Sequence, residues 1–412
     1  MKRLLFACLC LFPGLANAQT TLFSAETLKG WVNVRAVATN GETSWLHERA
    51  YGKTRYGGET KGRLAEAALI WTPRFSETVT GYIQVVHVPE LGHETGINEA
   101  YLKWRPVPKS ALRLSARLGQ MYPPVSMEHE GVGWTTTHTV TPSAINSWIA
   151  EEVLVQGLEL SLKQSYSQQQ VGATLGVFRG NDTSGTLLSY RGWALHDIRS
   201  TTTAKLPLPR GNAGWSRIFR SQAPFTKPAK EIDDRQGYYA RLDWRPSVPL
   251  ALNATYYNTH GNPTDFDNGQ YGWATRFFNF GAKYEPSARI EILSQLMVGN
   301  TKWGRMRADG VRAVDMDFRS AYLMASHISP KGRRLTARFE HFETEDYSNP
   351  LIDNNNETGQ ALTLAWMRPI NAHLDLNLEW LAVSSKRPSR LYQGLDPQSS
   401  QSQLQLDLKI KY

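Results

Sequence analysis

Apolar and polar residues alternate singly along most of this chain, and the pattern holds to its last residue. Leu404, Leu406, Leu408, Ile410 and Tyr412 interleave with Gln403, Gln405, Asp407, Lys409 and Lys411. A period of two gives a strand one apolar and one polar face. The same alternation predicts sixteen strands. Ascending strands begin near Trp31, Val79, Leu112, Val171, Leu250, Arg289, Leu335 and Leu374. Descending strands begin near Leu64, Ile97, Leu158, Tyr238, Ala274, Phe318, Gln360 and Ser402. The stretch 186–195 has room for one more pair, which would make eighteen.

Several strands close on an aromatic residue followed by proline. Trp71 has Pro73, Trp104 has Pro106, Trp244 has Pro246, Tyr284 has Pro286, and Trp366 has Pro369 at a looser spacing. Tyr412 holds the same place where the chain stops. Proline has no N–H to donate, so it is expected to end the ladder and open a tight turn. An outward Trp or Tyr suits a membrane–water interface. Connections at this end are short and those at the other end are long, which is the asymmetry of an outer-membrane barrel. A soluble β-sandwich with proline turns lacks that asymmetry. The expectation is therefore an all-β fold: a transmembrane antiparallel β-barrel of sixteen strands with both termini on the periplasmic side. Trp71, Trp104, Trp244, Tyr284, Trp366 and Tyr412 would form one periplasmic girdle.

Alternation also assigns side chains to faces. In the fifth strand Leu112, Leu114, Ala116 and Leu118 face lipid, and Arg113, Ser115 and Arg117 face the lumen. In the eighth, Arg241 and Asp243 face in; in the thirteenth, Arg338 and Glu340; in the fifteenth, Asp375, Asn377 and Glu379. A Lys or Arg turned toward lipid would cost about 2–4 kcal/mol at the midplane. A lumen with this many charges is expected to be wet, and sixteen strands enclose an aqueous channel.

Two loops are long, about 120–152 and 180–235, and loops of that length are usually functional. The first is the third extracellular loop. It carries Pro123-Pro124, then Glu128-His129-Glu130, then a Trp- and Thr-rich run to His138. Ser143 is placed to cap a short helix running to Glu152. Aromatic and hydroxyl content predicts an inward-folded loop that narrows the lumen. The second loop carries Trp193, His196, Asp197, Arg199, Arg210, Trp215, Arg217, Arg220 and Lys230, and is expected to cover the mouth or pack into it.

Composition narrows the class. Lys2, Arg3, an apolar run to Leu15 and Ala16-Asn17-Ala18 form a secretory signal peptide, leaving 19–412 as one barrel domain. Both cysteines, Cys8 and Cys10, fall in that segment, so no disulfide is available to the exported chain. No stretch approaches the roughly 20 apolar residues of a membrane helix. The formal charge is +9, of which Lys2 and Arg3 contribute two, leaving +7. The cations are scattered singly, which excludes nucleic acid and suggests a bias toward anions. There is no Gly-x-Ser-x-Gly elbow, and Ser326-His327 and Glu340-His341 are ordinary strand neighbours, so no enzyme is expected. Glu128-His129-Glu130 with His138, and the acids from Asp346 to Glu357, lack the spacing of a metal site. No metal and no cofactor are expected.

Sixteen alternating runs, a long third loop and a terminal aromatic together resemble the bacterial outer-membrane porins. The phosphate- and pyrophosphate-selective porins O and P are the nearer comparison, although here Asp243, Glu291, Glu340, Asp375 and Glu379 interleave with the positives. The resemblance implies a channel in the Gram-negative outer membrane for passive diffusion of small hydrophilic solutes, weakly anion-preferring. Its constriction would hold Arg113, Arg117, Glu128, His129, Glu130, Arg241 and Arg338. It also implies contact with lipopolysaccharide, delivery by the barrel-assembly machinery, and a homotrimer. The alternative is a plugged barrel acting as a binding or assembly component, and after that an outer-membrane enzyme.

Overall fold

The computed structural model describes residues 22–47, 50–58, 60–209, 220–348 and 354–412. The expected signal segment, and Arg210, Trp215 and Arg217 of the second long loop, lie outside these residues. Sixteen antiparallel strands close into one barrel. They are β1 Leu28–Thr39, β2 Lys61–Trp71, β3 Val79–His87, β4 Thr95–Trp104, β5 Leu112–Met121, β6 Val155–Ser165, β7 Gln170–Arg179 and β8 Gly237–Arg245. The ring continues with β9 Leu250–Asn258, β10 Ala274–Ser287, β11 Ile290–Trp303, β12 Val314–Ile328, β13 Arg334–Asp346, β14 Glu357–Asn371, β15 Leu374–Lys386 and β16 Gln398–Lys411. Every strand pairs with its chain neighbours, and β16 returns to β1 with Trp31 opposite Lys411 and Thr39 opposite Gln403. Tyr412 and Gly30 exchange backbone hydrogen bonds of 2.9 and 3.3 Å, so the last residue closes the ring.

The eighteen-strand option fails at Thr186–Arg191, which is a short helix (α2) and not a strand pair. The predicted faces are visible in burial. In β16, Leu404, Leu406 and Ile410 are more than 40 % exposed, while Gln403, Gln405 and Asp407 are buried. In β13, Leu335 and Phe339 are exposed, and Arg338 and Glu340 on either side of Phe339 are buried. Bulges break the alternation in β2 and β4. Ala65 of β2 and Asn98 of β4 are extra residues in their ladders, so Ala65-Glu66 and Asn98-Glu99 are consecutive buried pairs.

Connections at one rim are short: 72–78, 105–111, 166–169, 246–249, 288–289, 329–333 and 372–373. At the other rim 122–154 and 180–236 are the long ones. Trp71, Trp104, Trp244, Tyr284 and Trp366 stand opposite Leu28, Val79, Val171, Leu250 and Leu335. Those partners are first or second residues of their strands, so all five aromatics lie at the short-turn rim. Pro73, Pro106 and Pro246 follow the strand ends as expected. Pro286 and Pro369 do not: they sit inside β10 and β14, each where the register shifts. A bulge tolerates the missing N–H that a regular ladder position would not.

Candidate functional site

The third loop, 122–154, is held by side chains of the wall. Glu128 is fully buried and gathers the loop onto itself. It accepts from the Ser143 N–H at 3.0 Å, from Ser143 Oγ at 2.5 Å and from Asn146 Nδ2. Ser143 is the N-cap of helix α1, Ala144–Glu152, accepting from the Asn146 N–H. Burial by itself would push the Glu128 carboxyl up. The Arg338 guanidinium and the bonds from Asn146 and Ser143 outweigh it and hold the group below the usual carboxylate range.

Arg338 of β13 fixes this assembly to the barrel. It pairs with Glu128 at 2.8 Å and Glu340 at 3.0 Å, and donates to the carbonyls of Thr141 and Pro142 at 2.9 and 3.0 Å. Glu340 accepts from the Ala144 N–H at 2.7 Å, placing a carboxylate at the helix N-terminus, where it is favoured. Glu379 of β15 accepts from the Val140 and Thr141 N–H groups at 2.6 and 3.0 Å. His138 Nε2 meets Glu291 of β11 at 2.9 Å. Every residue of α1 is buried. The expectation that these inward charges face water needs correcting: they face loop N–H groups and one another.

The fourth loop packs beside the third. Gly185 has φ 103 and lies so near β10 and β11 that an added Cβ would fall 2.1 Å from Thr301 Oγ1. Only glycine fits there without displacing helix α2. Arg191 and His196 both pair with Glu151 of α1. Asp197 lies between Arg35 of β1 at 2.7 Å and Arg55 of the 40–60 loop at 2.9 Å. Burial alone would raise the Asp197 carboxyl, but the two guanidiniums hold it far below its ordinary range. Arg199 pairs with Glu66 of β2 at 2.6 Å. Lys53 pairs with Glu357 of β14 and donates to the carbonyls of Arg191 and Trp193 at 3.0 and 2.9 Å. Toward the short-turn rim these loops leave a cavity of about 420 Å³ lined by His129, Trp134, Arg199, Arg334, Lys409 and Asp375, among others.

The seven residues expected at a constriction do not form one cluster. Arg338 and Glu128 are buried anchors. His129 stacks on Trp134 with centroids 3.7 Å apart, and burial lowers its imidazole to about 3, so it stays neutral. Glu130 is exposed, 3.4 Å from Lys283. Arg117 is committed to Glu159 at 2.7 Å and Arg241 to Asp243 at 2.7 Å. Arg113 is exposed nearer the short-turn rim, opposite Lys163. The residues that sequence reasoning missed are Lys53, Arg55, Arg35, Glu66 and Glu357. Glu66 was concealed by the β2 bulge. Arg35 alternates with Val34 and Ala36, so its inward direction was readable.

No protein-family model matches this sequence, and no curated protein matches it. Solved structures match along nearly the whole chain. The outer membrane channel DcaP of Acinetobacter baumannii aligns with TM-score 0.55 at 12 % identity, covering 94 % of this chain and 99 % of that one. An anion-selective porin from Comamonas acidovorans aligns with TM-score 0.52 at 11 % identity and the same coverages. A loop-deletion mutant of OmpT, an outer membrane protein of Vibrio cholerae, gives 0.51 at 9 % identity, again with 94 % and 99 %. At such identities the likeness establishes a shared barrel fold.

Proposed function

We propose that this chain is an outer-membrane channel for passive diffusion of small hydrophilic solutes, with a weak preference for anions. The observation that carries this reading is the closed sixteen-stranded ring, apolar outside and charged inside. A ring of that size surrounds more space than wall side chains fill. The third loop, folded inward and anchored on Arg338, Glu340 and Glu379, sets the width of the path. Selection then comes from width and lining charge, with no covalent chemistry. The preference for anions rests on β4 to β6. Register sets Lys103 beside Arg117 and Arg113 beside Lys163, and the two inward acids of these strands are occupied, Glu99 by the Tyr122 N–H and Glu159 by Arg117.

Export by the 1–18 segment, assembly in the outer membrane and association as a homotrimer belong to the same proposal. A plugged barrel with a binding role is the second reading, favoured by the complete burial of α1 and α2. Planar-bilayer recording of the purified full chain separates the two. Discrete open steps support the channel; a silent, correctly inserted barrel supports the plug.

A further inference from the structure

The outer wall of β12 to β15 carries a notch among large side chains. Ala325 of β12 stands opposite Ala337 of β13, and the same row runs on through Leu364, Trp380 and Leu404. Both alanines are exposed on the outward face. Toward the long-loop rim the next outward pair is Leu323 and Phe339; toward the short-turn rim it is His327 and Leu335, flanked by Trp366. Two methyl groups between two rows of bulky side chains leave an apolar groove of about 590 Å³. Trp380 forms its side wall and is pinned there, its Nε1 donating to Ser402 Oγ at 2.9 Å.

Cations collect where the groove meets the short-turn rim. Turn 329–333 carries Lys331 and Arg333. Turn 288–289 lies beside it, since the Arg289 carbonyl accepts from the Ile328 N–H at 2.8 Å. Arg289 and Lys331 are exposed and Arg333 is half-buried. Among the described residues none of the three has an acidic partner. Glu291, the acid closest to them along β11, is held on the inner side by Arg334 and His138.

We propose that this groove seats one acyl chain of an anionic phospholipid from the periplasmic leaflet, with its phosphate among Arg289, Lys331 and Arg333. The slot over Ala325 and Ala337 admits a chain that the neighbouring rows keep out. Charge selects the head group: a zwitterionic lipid brings a cation of its own to three that lack a counter-charge, and an anionic lipid does not. The inference rests on the short-turn rim lying at the periplasmic leaflet and not on conduction. A barrel that passes no current leaves it standing.

The test is native mass spectrometry of the detergent-folded full chain, titrated with dioleoyl phosphatidylglycerol and with dioleoyl phosphatidylcholine. Saturable binding of one phosphatidylglycerol is expected, at least fivefold tighter than phosphatidylcholine. Ala325→Leu with Ala337→Leu fills the slot and leaves the charges, and should weaken phosphatidylglycerol at least threefold. Arg289→Gln, Lys331→Gln, Arg333→Gln together should bring the two lipids within twofold of each other. Removing three charges elsewhere on the rim, by Arg74→Gln, Arg105→Gln and Lys109→Gln, should leave the parent's preference intact. Heat-modifiable gel mobility reports whether each barrel is folded, and if the double leucine variant is not, Ala337→Leu alone decides. Equal affinity of the parent for both lipids, or unchanged affinity in the folded slot-filling variant, overturns the proposal. So does an oligomer that binds no lipid and falls apart when the slot is filled, which would give the groove to a second copy.

Discussion

At the scale of single residues, Arg338 carries the strongest prediction. Its guanidinium compensates Glu128 and Glu340 inside a site closed to water, and removing one partner of a buried ionic group typically costs about 3–5 kcal/mol. Arg338→Met should lower the unfolding midpoint and make single-channel current noisier as the loop loses its anchor; an unchanged midpoint would show that the anchor lies elsewhere. Glu152 predicts a pH effect. Burial first, and then neighbouring Glu151, push its carboxyl up from 4.5 to about 8. Between those values the packed loop keeps a proton that an undocked loop releases, so loop packing weakens as pH rises through the window. Asp182, raised to about 7 mainly by burial, acts in the same direction, so the informative quantity is the difference between parent and Glu152→Gln. The variant should show a flatter fall in melting temperature from pH 5 to 8, and a slope equal to the parent's would remove Glu152 from the account. Which face each residue takes was legible from alternation. Which charges meet was not, because Arg338 and Glu128 lie 210 positions apart in sequence.

Elements were legible to different degrees. Strands announced themselves by period two, and helix α1 by a serine followed by a helix-compatible run. The bulges at Ala65 and Asn98 were hidden, since one extra residue looks like an ordinary lapse in alternation. Pro286 and Pro369 predict strand ends because a missing N–H is normally intolerable within a ladder, yet each lies at a register shift. The third loop gives the prediction at this scale. Deleting residues 128–139 removes Glu128 and the segment over Arg334 and Lys409 but leaves the Ser143 cap and α1. Single-channel conductance should rise if the barrel still inserts. An unchanged conductance would place the narrowest point at the fourth loop, where Asp197→Ala should then be the variant that opens it.

For the whole molecule, strand count and closure followed from the sequence, and the arrangement of charge across the lumen did not. Arg113 and Arg117, four apart in β5, both point inward, and alternation alone predicts that they act together. Strand pairing separates them: Arg117 is neutralised by Glu159, while Arg113 stands beside Lys163. Chloride preference in a KCl gradient should therefore depend on Arg113 more through its free charge than through its place near the loop. Arg113→Ala with Lys163→Ala should move the reversal potential toward cations. Arg117→Ala should move it further per charge removed, because it also exposes the Glu159 carboxylate to the path. Both shifts should shrink as salt rises, since the Debye length falls from about 10 Å at 0.1 M to about 3 Å at 1 M. A cation-selective parent, or an Arg117→Ala shift no larger than that of Arg113→Ala, would show that these paired strands do not set the selectivity.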